Sequence, residues 1–204
     1  MQVALKEWEV VVDALGRGEQ ILLLRKGGIH EDRGEFRVEH MRFVLFPTRY
    51  HQQRDCVIPS AQARFDEIHP LRGSAETVRL EYSAELVETR LLESLAQAEA
   101  LKGQHIWREE VMARRFDWGK EKTIHVLVVR VLRLACAVEM PMNSAYGGCK
   151  SWIEVGCDIT TDGAVPVLSD AAFERKLAEF HAALPLQLRK SAMIPEPRKH
   201  RSAL

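Results

Sequence analysis

Three short segments of the sequence combine side chains that can hold an anion or contact a nucleic-acid base. In the first, Arg25 and Lys26 follow the apolar run Ile21 to Leu24 and precede Gly27 and Gly28. Glycines let the backbone approach a ligand closely, and arginine offers a bidentate fork to phosphate or carboxylate. The segment predicts an anion site at the end of a buried strand, although a β-turn with solvated cations has the same composition. It does not match a P-loop.

The second segment places a hydroxyl, an imidazole and a carboxamide within five residues. Thr48, His51 and Gln52 follow the apolar stretch that ends at Phe46 and Pro47. These groups suit the reading of a base edge, or general acid–base chemistry by His51. A turn in which Thr48 and His51 satisfy local backbone groups is the alternative.

The third segment, Tyr146 to Trp152, contains two aromatic residues, two glycines, Cys149 and Lys150. A base stacked on an aromatic side chain is stabilised by about 1–3 kcal/mol, and a nearby cation can hold its phosphate. The same pattern is expected if Trp152 packs in the core and Lys150 is exposed.

An enzymatic interpretation uses the same residues. Cys149 or Thr48 would be the nucleophile and His51 the base, which requires that they meet in space. We predict no cofactor and no metal, because Cys149 and Cys157 do not have the spacing of a zinc knuckle.

The spacing of apolar residues predicts the elements that must position these side chains. We expect a helix over 4–16, strands over 20–26 and 41–46, a loop over 52–76, a strand over 77–88, helices over 91–101 and 109–116, strands over 123–134 and 151–155, and a final helix that begins at Ser169 or Asp170. Because strands and helices do not alternate regularly, we predict an α+β fold with a mixed or antiparallel sheet that curls into a small β-barrel with flanking helices.

The charge balance separates a body from a tail. Lysine plus arginine number 29 and aspartate plus glutamate number 29, which excludes a strongly basic nucleic-acid coat as a description of the whole chain. The last twenty residues carry five cations and one carboxylate. We predict a single domain over 1–184 and a basic, flexible tail over 185–204 that touches phosphates or is simply solvated.

The cellular compartment is predicted from three features that the sequence does not contain. No run of 18 apolar residues occurs, Met1 to Lys6 has no signal core, and the four cysteines form no CxxC pair. We therefore expect a cytoplasmic protein without membrane contact.

Several segments together resemble an uncharacterised bacterial family, a domain of unknown function. They are Ala4 to Trp8, Leu23 to Ile29, Leu45 to Thr48 with His51 and Gln52, and Tyr146 to Trp152. Some members of that family are fused to restriction-endonuclease-like domains. The resemblance implies a restriction or defence context and a protein partner from such a system.

A weaker resemblance is to PUA-like barrels, in particular the ASCH branch. Gly16 and Gly18 precede the strand that ends in Leu24 and Arg25, and a later strand leads to Trp152. Members of that superfamily typically bind RNA or DNA, and several hold a flipped or modified base. One branch is an amidohydrolase with a lysine and a threonine at the glycine-to-strand turn. That turn differs here, so the hydrolase is not supported.

We therefore predict a nucleic-acid-binding module, for DNA or RNA, that reads a modified or extruded base. The predicted ligand-binding residues are Arg25, Lys26, Thr48, His51, Gln52, Tyr146, Lys150 and Trp152. Two alternatives stay open. One is a small hydrolase or nucleotide-processing enzyme that uses His51 with Cys149 or Thr48, and the other is a non-catalytic protein-interaction component.

Overall fold

The computed structural model describes residues 1–26, 36–49, 51–68, 76–119, 121–148 and 150–185, with only the backbone of His51 and Gln52. Its strands are β1 Val3–Trp8, β2 Leu22–Arg25, β3 Arg42–Thr48, β4 Thr77–Leu92, β5 Ile124–Pro141, β6 Trp152–Glu154 and β7 Val165–Pro166. Its α-helices are α1 Glu9–Gly16, α2 Pro59–Ile68, α3 Leu95–Ala100, α4 Glu109–Asp117 and α5 Asp170–Ala183. Short 3-10 helices span His51–Cys56 and Ser144–Tyr146.

The strands form one mixed sheet that curls into a half-barrel. Its order is β2-β5-β4-β3-β1-β6, and β7 pairs with β5. β1 and β3 are parallel, and the other pairs are antiparallel. The predicted α+β class with a mixed sheet and flanking helices is confirmed.

Both faces of the central strands are buried, each in a different apolar cluster. Along β3, Phe43 and Leu45 belong to the main core, whereas Val44 and Phe46 belong to a second one. Because successive side chains of a strand point to opposite faces, this assignment requires cover on both sides of the sheet. The strand therefore reads as a continuous apolar run rather than as an alternating one.

The prediction of a helix over 4–16 is wrong in its first half. Val3–Trp8 is a strand that pairs with β3 and β6, and the helix begins at Glu9. Pairing on both edges gives the backbone of β1 its hydrogen bonds, and this tertiary context overrides the helical spacing of the apolar residues.

The predicted loop over 52–76 is also wrong in part, because it contains α2. Ala61, Phe65 and Ile68 of this helix are buried and recur at helical spacing. Pro59 is its first residue, a position where proline is favoured because its missing amide hydrogen is not needed. The predicted helix over 91–101 begins later, at Leu95, since β4 continues to Leu92 and Ser94 caps the helix.

Two further points concern the limits of the chain. Apart from Pro185, the predicted basic tail over 185–204 lies outside the described residues. Within the described residues, none of the helices is both long and apolar enough to cross a bilayer.

Candidate anion-binding site

Four strand ends meet at one edge of the sheet. β1 and β3 run parallel, with Trp8 opposite Thr48, so both strands end at this edge. β6 is antiparallel to β1 and begins there, with Trp152 opposite Leu5. Arg25, the last residue of β2, reaches the same place, because its Nη1 donates a hydrogen bond to the carbonyl oxygen of Lys6 at 3.1 Å. We name the polar residues gathered here the strand-end cluster: Glu7, Arg25, Arg115 and Ser151.

A buried ion pair lies at the centre of the strand-end cluster. Nη1 of Arg25 is 3.1 Å from Oε2 of Glu7, and the two side chains are 12% and 2% exposed. The other guanidinium nitrogen, Nη2, donates to the Ser151 hydroxyl at 2.6 Å. Glu7 also accepts the amide hydrogen of Trp8 at 2.8 Å. Arg25 is therefore held in place by β1 and by the residue that precedes β6.

Arg115 brings a second guanidinium to the cluster from α4. It lies over the ring of Trp107, with its central carbon 4.3 Å from the ring centroid, and Trp107 contacts Trp8 at 4.7 Å between centroids. Burial lowers the pKa of Arg115, the carboxylate of Glu7 opposes that shift, and the charge of Arg25 adds to it. Arginine stays protonated even so. The guanidiniums of Arg25 and Arg115 are thus close enough to repel each other.

Positive charge exceeds negative charge in the cluster. The side chain of Lys6 leaves the face of β1 opposite to that of Glu7, and its Nζ donates to the carbonyl oxygen of Gly148 at 2.7 Å, so Lys6 is not part of this set. Arg25 and Arg115 are two cations, and Glu7 is the one carboxylate in this set of residues. The neighbouring Glu9 and Arg49 form their own pair at 3.3 Å and leave the balance unchanged. A bound anion would offset this excess.

Several buried polar atoms at this end of the molecule have no hydrogen-bond partner among the described residues. They are Arg25 Nε, Gln53 Oε1 and Arg115 Nη1, whereas others lie on β4, at Glu88 Oε1 and Arg90 Nε. Gln53 is next to the cluster, since its side-chain Nε2 donates a hydrogen bond to the carbonyl oxygen of Thr48 at 2.6 Å. Nearly all buried polar groups in native proteins are paired, so these atoms are places where a ligand or a water would supply the missing partner.

The structure brings several of the residues singled out from the sequence to this edge. Arg25, Thr48, Lys150 and Trp152 all lie at or next to the converging strand ends. The hydroxyl of Thr48 is buried and donates to the carbonyl oxygen of Glu7 at 3.0 Å, so it ties β3 to β1. Lys150 is exposed beside Ser151.

Lys26 is predicted to contact phosphate, but in the structure its ammonium group binds backbone carbonyl oxygens. Its Nζ donates to the carbonyl oxygens of Phe116, Glu121 and Thr123. Burial and the nearby Lys122 lower its pKa. Since an ammonium group has three donors, all of them are used by backbone acceptors. Lys26 therefore fixes the connection between α4 and β5.

The two aromatic residues proposed as stacking platforms are packed by the protein itself. Tyr146 is 5% exposed, lies edge-on to Phe46 at 5.5 Å, and accepts the amide hydrogen of Gly156 at 2.9 Å. Trp152 is half-buried between Phe36 and Phe43, and its indole donates to the carbonyl oxygen of Arg37 at 2.9 Å. Tyr146 belongs to the second core, away from the strand-end cluster.

The residues of the enzymatic alternative are described only in part. Cys149 and the side chains of His51 and Gln52 lie outside the described residues, so their arrangement is not part of the site described here. In the described ranges, no group of three His, Cys, Asp or Glu side chains is arranged to hold a metal ion.

Two residues of the cluster, Glu7 and Arg115, carry no signal in the sequence that predicts their role. The spacing of apolar residues predicts a helix at Glu7, whereas the residue lies on β1. Arg115 stands next to Arg114 on a charged helix, and nothing in the sequence distinguishes the half-buried arginine from the exposed one.

The fold defines a mixed α+β half-barrel protein. The chain belongs to the family described as Domain of unknown function (DUF1802), whose family model matches residues 4–179. This confirms the resemblance to a domain-of-unknown-function family. The search of curated proteins found no match.

Among solved structures, the chain is similar to ASCH from Zymomonas mobilis, the branch of the weaker resemblance. The TM-score is 0.45 and the identity 10%, over 86% of this chain and 92% of that chain. A tyrosine-to-phenylalanine mutant of the same protein gives a TM-score of 0.44 and 12% identity, over 86% and 95%. These are similarities of chain path only.

Proposed function

We propose that the protein binds nucleic acid through backbone phosphates at the strand-end cluster. One observation carries the proposal: Nη1 of Arg115 is buried without a hydrogen-bond partner in the described structure, in a cluster where cations exceed carboxylates. A phosphate oxygen is a strong acceptor for a guanidinium and carries the negative charge that the cluster lacks.

The net charge of the whole chain explains why the local excess of cations in the strand-end cluster matters for binding. Because the chain is neutral and its last twenty residues carry an excess of four positive charges, residues 1–184 are acidic overall. Long-range attraction to a polyanion would not come from this body, so its affinity must come from a local positive patch. Exposed Lys150 next to the cluster extends the patch for a second phosphate.

The base would lie towards the 3-10 helix His51–Cys56, which follows β3 at the same edge. The sequence supplies an imidazole at His51 and a carboxamide at Gln52, which suit the reading of a base edge. In this proposal the phosphate contacts give affinity, and these two side chains give selectivity for the base.

The test is fluorescence anisotropy with short labelled DNA and RNA, single- and double-stranded, at two salt concentrations. Arg115→Gln removes the charge, and Arg114→Gln on the same helix is the matched control, since Arg114 is exposed. We expect Arg115→Gln to weaken binding about tenfold or more. It should also reduce the magnitude of the salt slope by about 0.9 on duplex DNA or about 0.7 on single strands.

Two results would overturn this function. One is the absence of binding to any oligomer at low salt. The other is an equal effect of Arg114→Gln and Arg115→Gln on affinity and salt slope, because that would assign the attraction to surface charge in general. Circular dichroism of both variants shows whether the fold is retained.

A further inference from the structure

A separate cavity of about 370 Å³ lies between α3, the turns that follow it and α4. Its apolar lining comes from Ile58, Leu95, Ala98, Trp107 and Met112. Ligand pockets in proteins typically measure about 300–1,000 Å³ and have a largely apolar lining with a few polar groups. The cavity has the size and the lining of such a pocket.

One polar side chain stands in this apolar wall without a full set of partners. His105 lines the cavity and is 6% exposed. Its Nδ1 accepts the amide hydrogen of Trp107 at 3.2 Å, so a neutral ring carries its proton on Nε2. Nε2 is buried and has no acceptor among the described residues. An unpaired buried donor destabilises the folded protein unless an acceptor reaches it.

The charged residues at the rim neutralise one another. Lys102 forms an ion pair with Glu109, and Nε of Arg108 is 3.4 Å from Oε2 of Glu110. Glu99, the remaining charged residue of the lining, is an acid. The rim therefore offers no cation to an anionic ligand, which distinguishes this cavity from the strand-end cluster.

We propose that this cavity binds an uncharged ring compound whose hydrogen-bond acceptor meets Nε2–H of His105. A cavity of about 150 Å³ is large enough for benzene, so about 370 Å³ has room for a bicyclic ring. The apolar lining, including the Trp107 ring, supplies the contact area, and the histidine supplies orientation. The inference does not depend on nucleic-acid binding, because it uses a different set of residues except for Trp107.

The test compares two fused bicyclic probes of similar size on the full chain. Quinoline has a ring nitrogen that accepts a hydrogen bond, whereas indole donates one. Binding is followed by amide chemical shifts of a ¹⁵N-labelled sample at pH 7. We expect quinoline to bind about tenfold more tightly than indole, with shifts confined to α3, the turn at Gly103 and α4.

Three variants assign the effect to this cavity. Ala98→Phe fills it and should abolish binding, whereas Ala96→Phe adds the same ring at an exposed position of the same helix and should leave binding unchanged. His105→Phe keeps a ring but removes the donor, so it should abolish the preference for quinoline over indole. It also keeps the test decisive if Ala98→Phe does not fold.

The proposal would be overturned by any of three results. These are no shift with either probe, equal affinities of quinoline and indole for the wild type, or an unchanged preference in His105→Phe. Because the probes are uncharged, failure here leaves the phosphate-binding test unaffected, and the reverse also holds.

Discussion

Two arginine–glutamate pairs of nearly equal length illustrate how burial decides the importance of a residue. Arg25 and Glu7 are 3.1 Å apart and buried, whereas Arg42 and Glu85 are 3.2 Å apart with side chains 71% and 44% exposed. Removing one partner of a buried pair leaves an uncompensated charge in a poorly solvated place, but solvent screens an exposed pair.

We therefore expect Arg25→Met to lower the free energy of unfolding by about 1–3 kcal/mol, because its hydrogen bonds to Glu7 and Ser151 are lost while Arg115 still faces Glu7. Arg42→Met should change it by about 1 kcal/mol or less. Urea denaturation at low salt measures both. If the two variants lost the same stability, Glu7 would have found other partners, and the ion pair would not hold β2 to β1.

His105 makes stability depend on pH. Burial lowers its pKa from 6.5 to about 4, with a smaller contribution from the charge of Arg115. Between these values the unfolded chain binds a proton that the folded chain does not, so stability rises with pH across this window. As pH falls from above 6.5 to 4, this residue alone removes up to about 3 kcal/mol.

In His105→Phe this contribution is absent. The difference in unfolding free energy between pH 7 and pH 4.5 should therefore be about 2–3 kcal/mol smaller in the variant than in the wild type. Urea denaturation at the two pH values measures it. An unchanged difference would mean that the folded protein takes up the proton at His105 as readily as the unfolded chain does.

Residue type and position after an apolar run predict that Arg25 and Thr48 lie at strand ends, and the structure has both there. These two features of the sequence do not predict which cation contacts a ligand. Lys26 follows Arg25 directly, yet its donors are used by three backbone carbonyls that are distant in sequence. Which cation stays available for a ligand depends on tertiary contacts that no local pattern contains.

At the level of elements, Gly16 shows what allows α1 to pack closely against the sheet. A Cβ atom at this position would lie 2.2 Å from the ring of Tyr82 on β4. Tyr82 is itself buried, with Arg133 over its ring at 5.0 Å, so it cannot easily move aside. The helix thus needs glycine here for close approach to the sheet.

We expect Gly16→Ala to lower the free energy of unfolding by about 1–3 kcal/mol through this clash. In a Tyr82→Ala background the same change should be neutral or slightly stabilising, since alanine is the better helix former. A double-mutant cycle by thermal or urea denaturation measures the coupling. Additive effects would show that the cost comes from the backbone and not from the ring.

The elements themselves were predictable to different degrees for identifiable reasons. β5 is rich in β-branched residues and was recognised, although it continues beyond Leu134 to Pro141. β1 is hidden by the helical spacing of Trp8, Val11, Val12 and Leu15, which continues across the boundary between the strand and α1. α2 is not predicted because proline usually interrupts a helix, whereas Pro59 begins this one.

For the whole molecule, the sequence predicted the α+β class because strands and helices do not alternate. It did not predict the order of the strands, in which β1 lies between β3 and β6. That order depends on pairing between segments far apart in the chain. It also decides which motifs share an edge, so the chemistry of the site became visible only with the topology.

The position of β1 in that order has a consequence for folding. It pairs with β3, about 40 residues away, and with β6, about 150 residues away. Closing a long loop lowers the entropy of the chain before the new contacts stabilise it. We therefore expect pairings between distant segments to form late in folding. The strand-end cluster draws on both pairings and on α4. We therefore expect it to be among the last parts of the molecule to assemble, and an anion bound there should slow the opening of the whole sheet.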